Sequence, residues 1–270
     1  MYGLWKRYLS RSAKNKAMVF WYNFISRLDT GDDLLFLNHG FAPVEGDPKT
    51  VELDPKDEKD RYSIQLYHQL AARAEWAGKT ALEVSSGRGG GTDWVMRAFR
   101  PHKLVGLDIA KASTDFCNKH FTTPGLSFVT GDAQDMPFED ATFDIVFTVE
   151  SSLNYPDFDG FLAETRRILR PGGHLLITDY RRASKGGRFE QSLRNSGMEV
   201  LSFDDIAPQI IRGLELSEDR KVAVIDKYAP RILRPMIGRF ARVSGEEVSE
   251  LELFSTGKKV YFASVLRKPG

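Results

Sequence analysis

The chain has one cysteine, Cys117, in 270 residues. A disulfide within the chain is therefore excluded, as is any multi-cysteine metal site. Cys117 sits in a helical run over Lys111–His120 and is expected as a buried, inert thiol. No apolar run is long enough to span a bilayer. Charges interrupt every apolar run near the N-terminus, so no signal-peptide core is present. A reducing, cytoplasmic setting is the default these absences leave. The net charge of +1 excludes a global basic excess, and no nucleic-acid partner is expected. A Gly-x-x-x-x-Gly-Lys-Ser/Thr pattern is missing, which rules out a Walker-type phosphate loop. No His/Asp/Glu cluster has metal-ligand spacing, so no metal is expected.

Acidic residues are absent before Asp29. Residues 1–28 instead alternate Lys6, Arg7, Arg11, Lys14, Lys16 and Arg27 with Trp5, Tyr8, Phe20, Trp21 and Phe24, which suits one or two amphipathic helices. Three roles fit: a helix packed on the domain, a helix lying on a membrane surface, or a lid over an apolar substrate. From Gly31 to Asp60 the character shifts to acidic residues and prolines, an extended loop. It carries an apolar island, Leu34-Leu35-Phe36-Leu37-Asn38-His39-Gly40-Phe41, and a loop of this length often covers a binding site. A helix is expected over 59–76, closed by Gly78.

With 41% hydrophobic and 28% charged residues, the chain can bury the core of a soluble α/β domain with elaborations. Regular alternation starts at residue 79. Strands are expected at 80–84, 103–107, 126–129, 143–149, 174–178, 198–203 and 259–267. Helices are expected at 91–99, 111–120, 157–169, 184–195, 217–227 and 231–242. Arg170-Pro171-Gly172-Gly173 is read as a turn between helix and strand. Strand–helix alternation makes a doubly wound parallel sheet. Three segments follow: a helical lid over 1–78, a nucleotide-binding core over 79–183, and a C-terminal part of the same domain over 184–270.

Open α/β sheets bind ligands at the carboxyl ends of their strands. The first strand ends in Glu83 and the glycine-rich turn Ser85 to Gly91, where bare backbone and helix-start N–H groups can meet a ligand. The second ends in Asp108, whose two oxygens can accept a ribose diol. The third ends in Gly131-Asp132-Ala133, suited to an exocyclic amine. The fourth ends in Glu150, followed by Ser151, Asn154 and Tyr155. The glycines are too crowded for a dinucleotide fingerprint, which also leaves Asp132 without a role.

These residues carry a resemblance. Leu82-Glu83-Val84-Ser85-Ser86-Gly87-Arg88-Gly89 resembles the first motif of class I S-adenosylmethionine-dependent methyltransferases. Asp108, Gly131-Asp132-Ala133, Met136-Pro137-Phe138, Phe143-Asp144-Ile145-Val146 and Leu169-Arg170-Pro171-Gly172-Gly173 resemble the later motifs, in order, over residues 79–179. Ser85 departs from the usual first glycine. Asn38, Leu66-Tyr67-His68, Gly89-Gly90-Gly91 and Tyr155-Pro156 resemble the phthiotriolone and phenolphthiotriolone dimycocerosate methyltransferase group. The resemblance implies a Rossmann-like, seven-stranded sheet with the last strand, Lys259–Arg267, antiparallel. It implies S-adenosylmethionine as cofactor, with Glu83, Ser85, Gly87 and Gly89 at the methionine part. Asp108 then faces the ribose, Asp132 and Ala133 the adenine, Ile109 also binds the cofactor, and Glu150 lies beneath the methyl group. O-methylation of a hydroxyl on a hydrophobic lipid or polyketide-type small molecule follows. C- or N-methylation, and a cyclase or binding protein without transfer, stay open. His39 and His68 are candidate bases; Tyr155, with Tyr67 and Asn154, is a candidate for orienting the acceptor.

Overall fold

The computed structural model describes residues 33–48, 50–228 and 249–270. The basic aromatic segment 1–28 and the helix expected over 231–242 lie outside the described residues. After a strap over residues 33–48, the chain forms α1 (Arg61–Ala71), β1 (Thr80–Val84), α2 (Gly90–Phe99), β2 (Lys103–Asp108), α3 (Lys111–His120), β3 (Leu126–Thr130) and β4 (Phe143–Val149). Then come α4 (Phe158–Ile168), β5 (Leu169–Arg182), α5 (Ala183–Arg194), β6 (Glu199–Asp205), α6 (Ala207–Tyr228), α7 (Glu250–Ser255) and β7 (Lys259–Arg267).

The strands make one seven-stranded sheet in the order β3-β2-β1-β4-β5-β7-β6. Strands β1 to β5 pair in parallel, and β7 runs antiparallel to both β5 and β6. The antiparallel last strand is as the resemblance implies. Strand order reverses between β1 and β4, which opens a crevice at their carboxyl ends.

Alternation along the strands divides the core between two faces. Ala81, Leu104, Ile145 and Phe147 pack with Ile64 and Leu70 of α1, Trp94 and Val95 of α2, and Ile210 of α6. Leu82, Val84, Val105 and Val146 pack on the opposite face with Phe161 and Leu162 of α4 and Phe189 and Leu193 of α5. Local signals set the helix starts. Asp157 caps α4 by accepting from Gly160 N at 3.0 Å, and Ser249 caps α7 by accepting from Glu252 N at 3.1 Å. Among the described residues, no helix is long and apolar enough to cross a membrane.

Three elements depart furthest from the sequence reading. Helix α1 stops at Ala71, where the Trp76 indole N–H donates to the Ala71 carbonyl at 2.7 Å; Gly78 turns the chain into β1 instead. Strand β5 spans fourteen residues and absorbs Arg170-Pro171-Gly172-Gly173, because β7 pairs with it from His174 to Arg182 and Lys268 pairs with the Gly172–Gly173 backbone. Helix α6 starts ten residues before the expected 217, at Ala207. Pro208 is tolerated in a first turn. Gly213 is needed because a side chain there would meet the strap backbone at Gly40 and Phe41, 2.8 Å away.

Gly91 shows how tightly α1 and α2 approach. A Cβ there would lie 1.9 Å from Cζ of Tyr67 and 2.4 Å from its hydroxyl. At Gly187, inside α5, nothing lies within 4 Å of an added Cβ. Gly91→Ala is expected to lower unfolding stability by about 1–3 kcal/mol through overpacking. Gly187→Ala should be neutral or gain up to about 1 kcal/mol from reduced chain entropy. Denaturant midpoints of the two variants check this contrast.

Candidate functional site

The first turn after β1 is built on left-handed backbone. Ser85 has φ 62°, Gly87 54° and Gly89 79°. The crowded glycines that follow answer to three different neighbours. A side chain at Gly89 would strike Phe121 at 2.7 Å and Cys117 Sγ at 2.9 Å. At Gly90 it would strike the Leu35 carbonyl of the strap at 2.8 Å, and at Gly91 the Tyr67 ring. Close packing, rather than one shared ligand contact, explains the run. Cys117 is buried with its thiol pushed well up by desolvation, the inert state expected from the sequence.

Glu83 is fully buried. Tyr67 Oη donates to its Oε1 at 2.8 Å and Thr92 Oγ1 to its Oε2 at 2.5 Å. Burial pushes its carboxyl from 4.5 to about 7; the Thr92 and Tyr67 hydrogen bonds pull the other way, and the Asp108 charge adds to the rise. Glu83 ties α1, β1 and α2 together from behind the loop and is not part of the cavity wall.

The cavity lies at the carboxyl ends of β1 to β4, and the strap closes it from above with Leu35, Phe36, Leu37 and Asn38. Ser85, Gly87, Asp108, Ile109, Asp132, Ala133, Glu150 and Tyr155 all line it, so the structure gathers eight of the predicted positions in one place. Asp108 accepts from Gly87 N at 2.9 Å and Ala110 N at 2.8 Å. Burial raises its carboxyl to about 6 against those two bonds. Asp132 Oδ1 accepts from the backbone and side chain of Gln134, at 2.9 and 3.0 Å. Gly89 and Glu83 stand behind this wall. Arg88 and Gln134 also line it and were not singled out from sequence, although Arg88 lies within the first motif and Gln134 directly follows Gly131-Asp132-Ala133.

Glu150 anchors the far side. It leaves β4 with φ 52°, and its backbone N–H donates to Thr178 of β5 at 2.9 Å. Its carboxylate takes the His39 backbone N–H at 2.8 Å, His39 Nδ1 at 2.5 Å and the Tyr261 hydroxyl at 2.7 Å. Burial alone would raise the Glu150 carboxyl, but the His39 charge and these hydrogen bonds outweigh it and hold it below the usual range. The other ring nitrogen, Nε2, faces Glu250 Oε2 at 3.6 Å, and Glu250 is paired with Lys259 at 2.6 Å. His39 therefore sits behind Glu150, inside an aromatic box of Tyr180, Phe254 and Tyr261, and does not line the cavity. His68 is placed elsewhere, on α1 against Trp94 and Phe99, with burial lowering its pKa. Glu250 escaped the sequence reading because nothing in α7 marks it as chemistry.

Tyr155 lines the cavity and joins a row of hydroxyls. Its Oη lies 2.8 Å from Ser85 Oγ and 2.7 Å from Ser151 Oγ, which lies 2.5 Å from Thr148 Oγ1. Burial pushes the Tyr155 phenol up, so it stays protonated at neutral pH. Fully buried Asp179 fixes the same stretch by accepting from Ser152 Oγ at 2.6 Å and Leu153 N at 2.9 Å. Among the described residues, no group of three or more His, Cys, Asp or Glu is arranged to hold a metal ion.

The cavity suits an adenosine joined to an amino acid. A carboxylate offers about four lone-pair sites, and Asp108 spends two on backbone N–H groups, leaving acceptors for a diol.

Glu83 gives a pH prediction. A carboxyl whose folded pKa is raised from 4.5 to about 7 stabilises the fold below 4.5 and loses that contribution as pH rises through 7. Glu83→Gln cannot titrate. The fall in melting temperature between pH 4.5 and about 7 should be shallower in Glu83→Gln than in the parent; parallel curves would show that Glu83 does not take up this proton.

Residues 82–177 match a methyltransferase domain family. A fatty-acid O-methyltransferase of Mycolicibacterium smegmatis is 41% identical over 244 residues, covering 90% of this chain and 88% of that one. The phthiotriol/phenolphthiotriol dimycocerosates methyltransferase of Mycobacterium leprae is 37% identical over 243 residues, covering 88% and 89%. In fold, the chain is similar to a crystal structure of a putative sarcosine dimethylglycine methyltransferase from Galdieria sulphuraria, with a TM-score of 0.71 at 15% identity over 92% of this chain and 98% of that one. Identity sustained over most of two full-length relatives goes well beyond a shared fold, and the chain belongs to the class I S-adenosylmethionine-dependent methyltransferases.

Proposed function

We propose that this methyltransferase acts on an oxygen of a lipid-type acceptor. The observation that carries the reading is the apolar strap: Leu35, Phe36 and Leu37 form the cavity wall facing the glycine turn, in a chain whose relatives are named for fatty-acid and dimycocerosate substrates. An apolar wall takes an acyl or alkyl chain by desolvation.

Bound S-adenosylmethionine supplies an electrophilic methyl group on sulfur. The chain's own residues bind, orient and keep water out. Asp108 and Ile109 are assigned to the ribose, and Asp132 and Ala133 to the adenine. Ser85 and Gly87 are assigned to the amino-acid end, and Glu150 to the wall beneath the reacting centre. Holding the acceptor oxygen in line and desolvated supplies much of the rate. His39 acts through Glu150, keeping that carboxylate ionised and in place. Tyr155, protonated and bonded on both sides to Ser85 and Ser151, holds that part of the cavity wall in place.

A second reading concerns the acceptor oxygen. A hydroxyl needs a base, whereas a carboxylic acid reaches the site already ionised at neutral pH. No histidine ring lines the described cavity, which favours the carboxylate.

Two measurements test this. Asp108→Ala is expected to weaken S-adenosylmethionine binding by about tenfold or more in calorimetry, since a charged acceptor is lost; unchanged affinity would remove the cofactor assignment. Incubation with a long-chain fatty acid and, separately, a long-chain alcohol should give a product heavier by one methylene. No mass gain on either would overturn the lipid reading, and gain on only one decides the acceptor oxygen.

A further inference from the structure

The hydroxyl row beside the glycine turn has a fixed direction. Thr148 Oγ1 donates to the Val84 carbonyl at 2.9 Å, and a carbonyl can only accept. A hydroxyl carries one proton, so Thr148 has none left for Ser151 and must accept from it. Ser151, having given its proton to Thr148, accepts from Tyr155. Tyr155, having given its own to Ser151, accepts from Ser85. Each bond forces the next, and the row ends at Ser85 Oγ. Ser85 lines the cavity, and with its proton given to Tyr155 its oxygen can only accept from a ligand.

The row is not a proton exit. Its far end is a backbone carbonyl, which cannot take up a proton at ordinary pH. Its effect is to set polarity at the position where this chain has serine instead of glycine. Ser85 holds a left-handed φ of 62°, a conformation unfavourable for a non-glycine residue and one that a glycine would adopt freely. Glu83, the other acceptor at the end of β1, has both oxygens engaged by Tyr67 and Thr92 and lies behind the wall.

We propose that Ser85 Oγ is an obligate hydrogen-bond acceptor that takes the ammonium group at the amino-acid end of the bound cofactor. This rests on the assignment of the cavity to S-adenosylmethionine. Ser85 is then a specificity-determining residue, and Thr148, Ser151 and Tyr155 position it by fixing its proton.

Calorimetry with two ligands tests this without turnover: S-adenosylhomocysteine, which carries the ammonium, and 5′-methylthioadenosine, which lacks the amino acid. Ser85→Ala removes the oxygen. Ser85→Gly removes it too and relaxes the backbone, so a folded protein is secured. Both variants should bind S-adenosylhomocysteine about tenfold more weakly, the loss expected for one hydrogen bond to a charged group. Their affinity for 5′-methylthioadenosine should match the parent's. Equal weakening of both ligands would mean only a distorted loop and would overturn the proposal, as would unchanged S-adenosylhomocysteine affinity. A parent protein that binds neither ligand would overturn the cavity assignment itself, and this proposal with it.

Discussion

The Glu150 carboxylate holds the covered cavity together. It is set just past β4 on left-handed backbone, and it receives the strap through two bonds from His39 and the reversed strand β7 through Tyr261. A buried carboxylate with fewer partners would be costly. Here the strap itself supplies the compensating donors, so covering the cavity and satisfying the charge are one event. Two backbone bonds add to this, Phe41 N to the Tyr62 carbonyl at 2.9 Å and Ala42 N to the Gln209 carbonyl at 3.0 Å. They fasten the same strap to α1 and α6. The antiparallel last strand thus does more than finish the sheet: it carries the tyrosine that completes the Glu150 shell.

On the near side, Glu83 plays a similar part for α1, β1 and α2. Its two hydroxyl donors come from different helices, and Gly91 gives Tyr67 the room to reach it. The two glutamates, one behind the turn and one behind the strap, set the rigid frame of the cavity. Asp108, Asp132 and Ser85 line that frame with acceptors whose other bonds go to nearby backbone or side chains. Positioning through such pre-formed bonds is what a transfer driven by alignment requires.

How much of this was legible in the sequence depended on range. Strand ends are local, so Asp108, Asp132 and Glu150 could be placed at the carboxyl edge from periodicity and turn residues alone. Thr80–Val84, Phe143–Val149 and Lys259–Arg267 match their expected spans because each is a short apolar or aromatic run with clear stops. What failed was set by partners distant in the chain. The length of β5 depends on β7, and the first turns of α6 carry the strap, which bonds to the Gln209 carbonyl and packs on Gly213. The roles of the histidines were hidden for the same reason. His39 and His68 look alike in a sequence, yet one meets Glu150 at a separation of 111 residues and the other packs against Trp94 and Phe99. The substitution at Ser85 was visible as a departure, but its meaning depended on Thr148, Ser151 and Tyr155, which only the fold brings beside it.

The central claim is that one cofactor spans the ends of the first three strands beneath the strap. A crystal structure with S-adenosylhomocysteine tests it most directly. The account predicts the adenine beside Asp132 and Ala133, the ribose at Asp108 and the amino-acid end at Ser85, with the Glu150–His39 pair intact in the wall beneath the reacting centre. Density for the ligand outside this crevice, or an adenosine whose ribose makes no contact with Asp108, would contradict it.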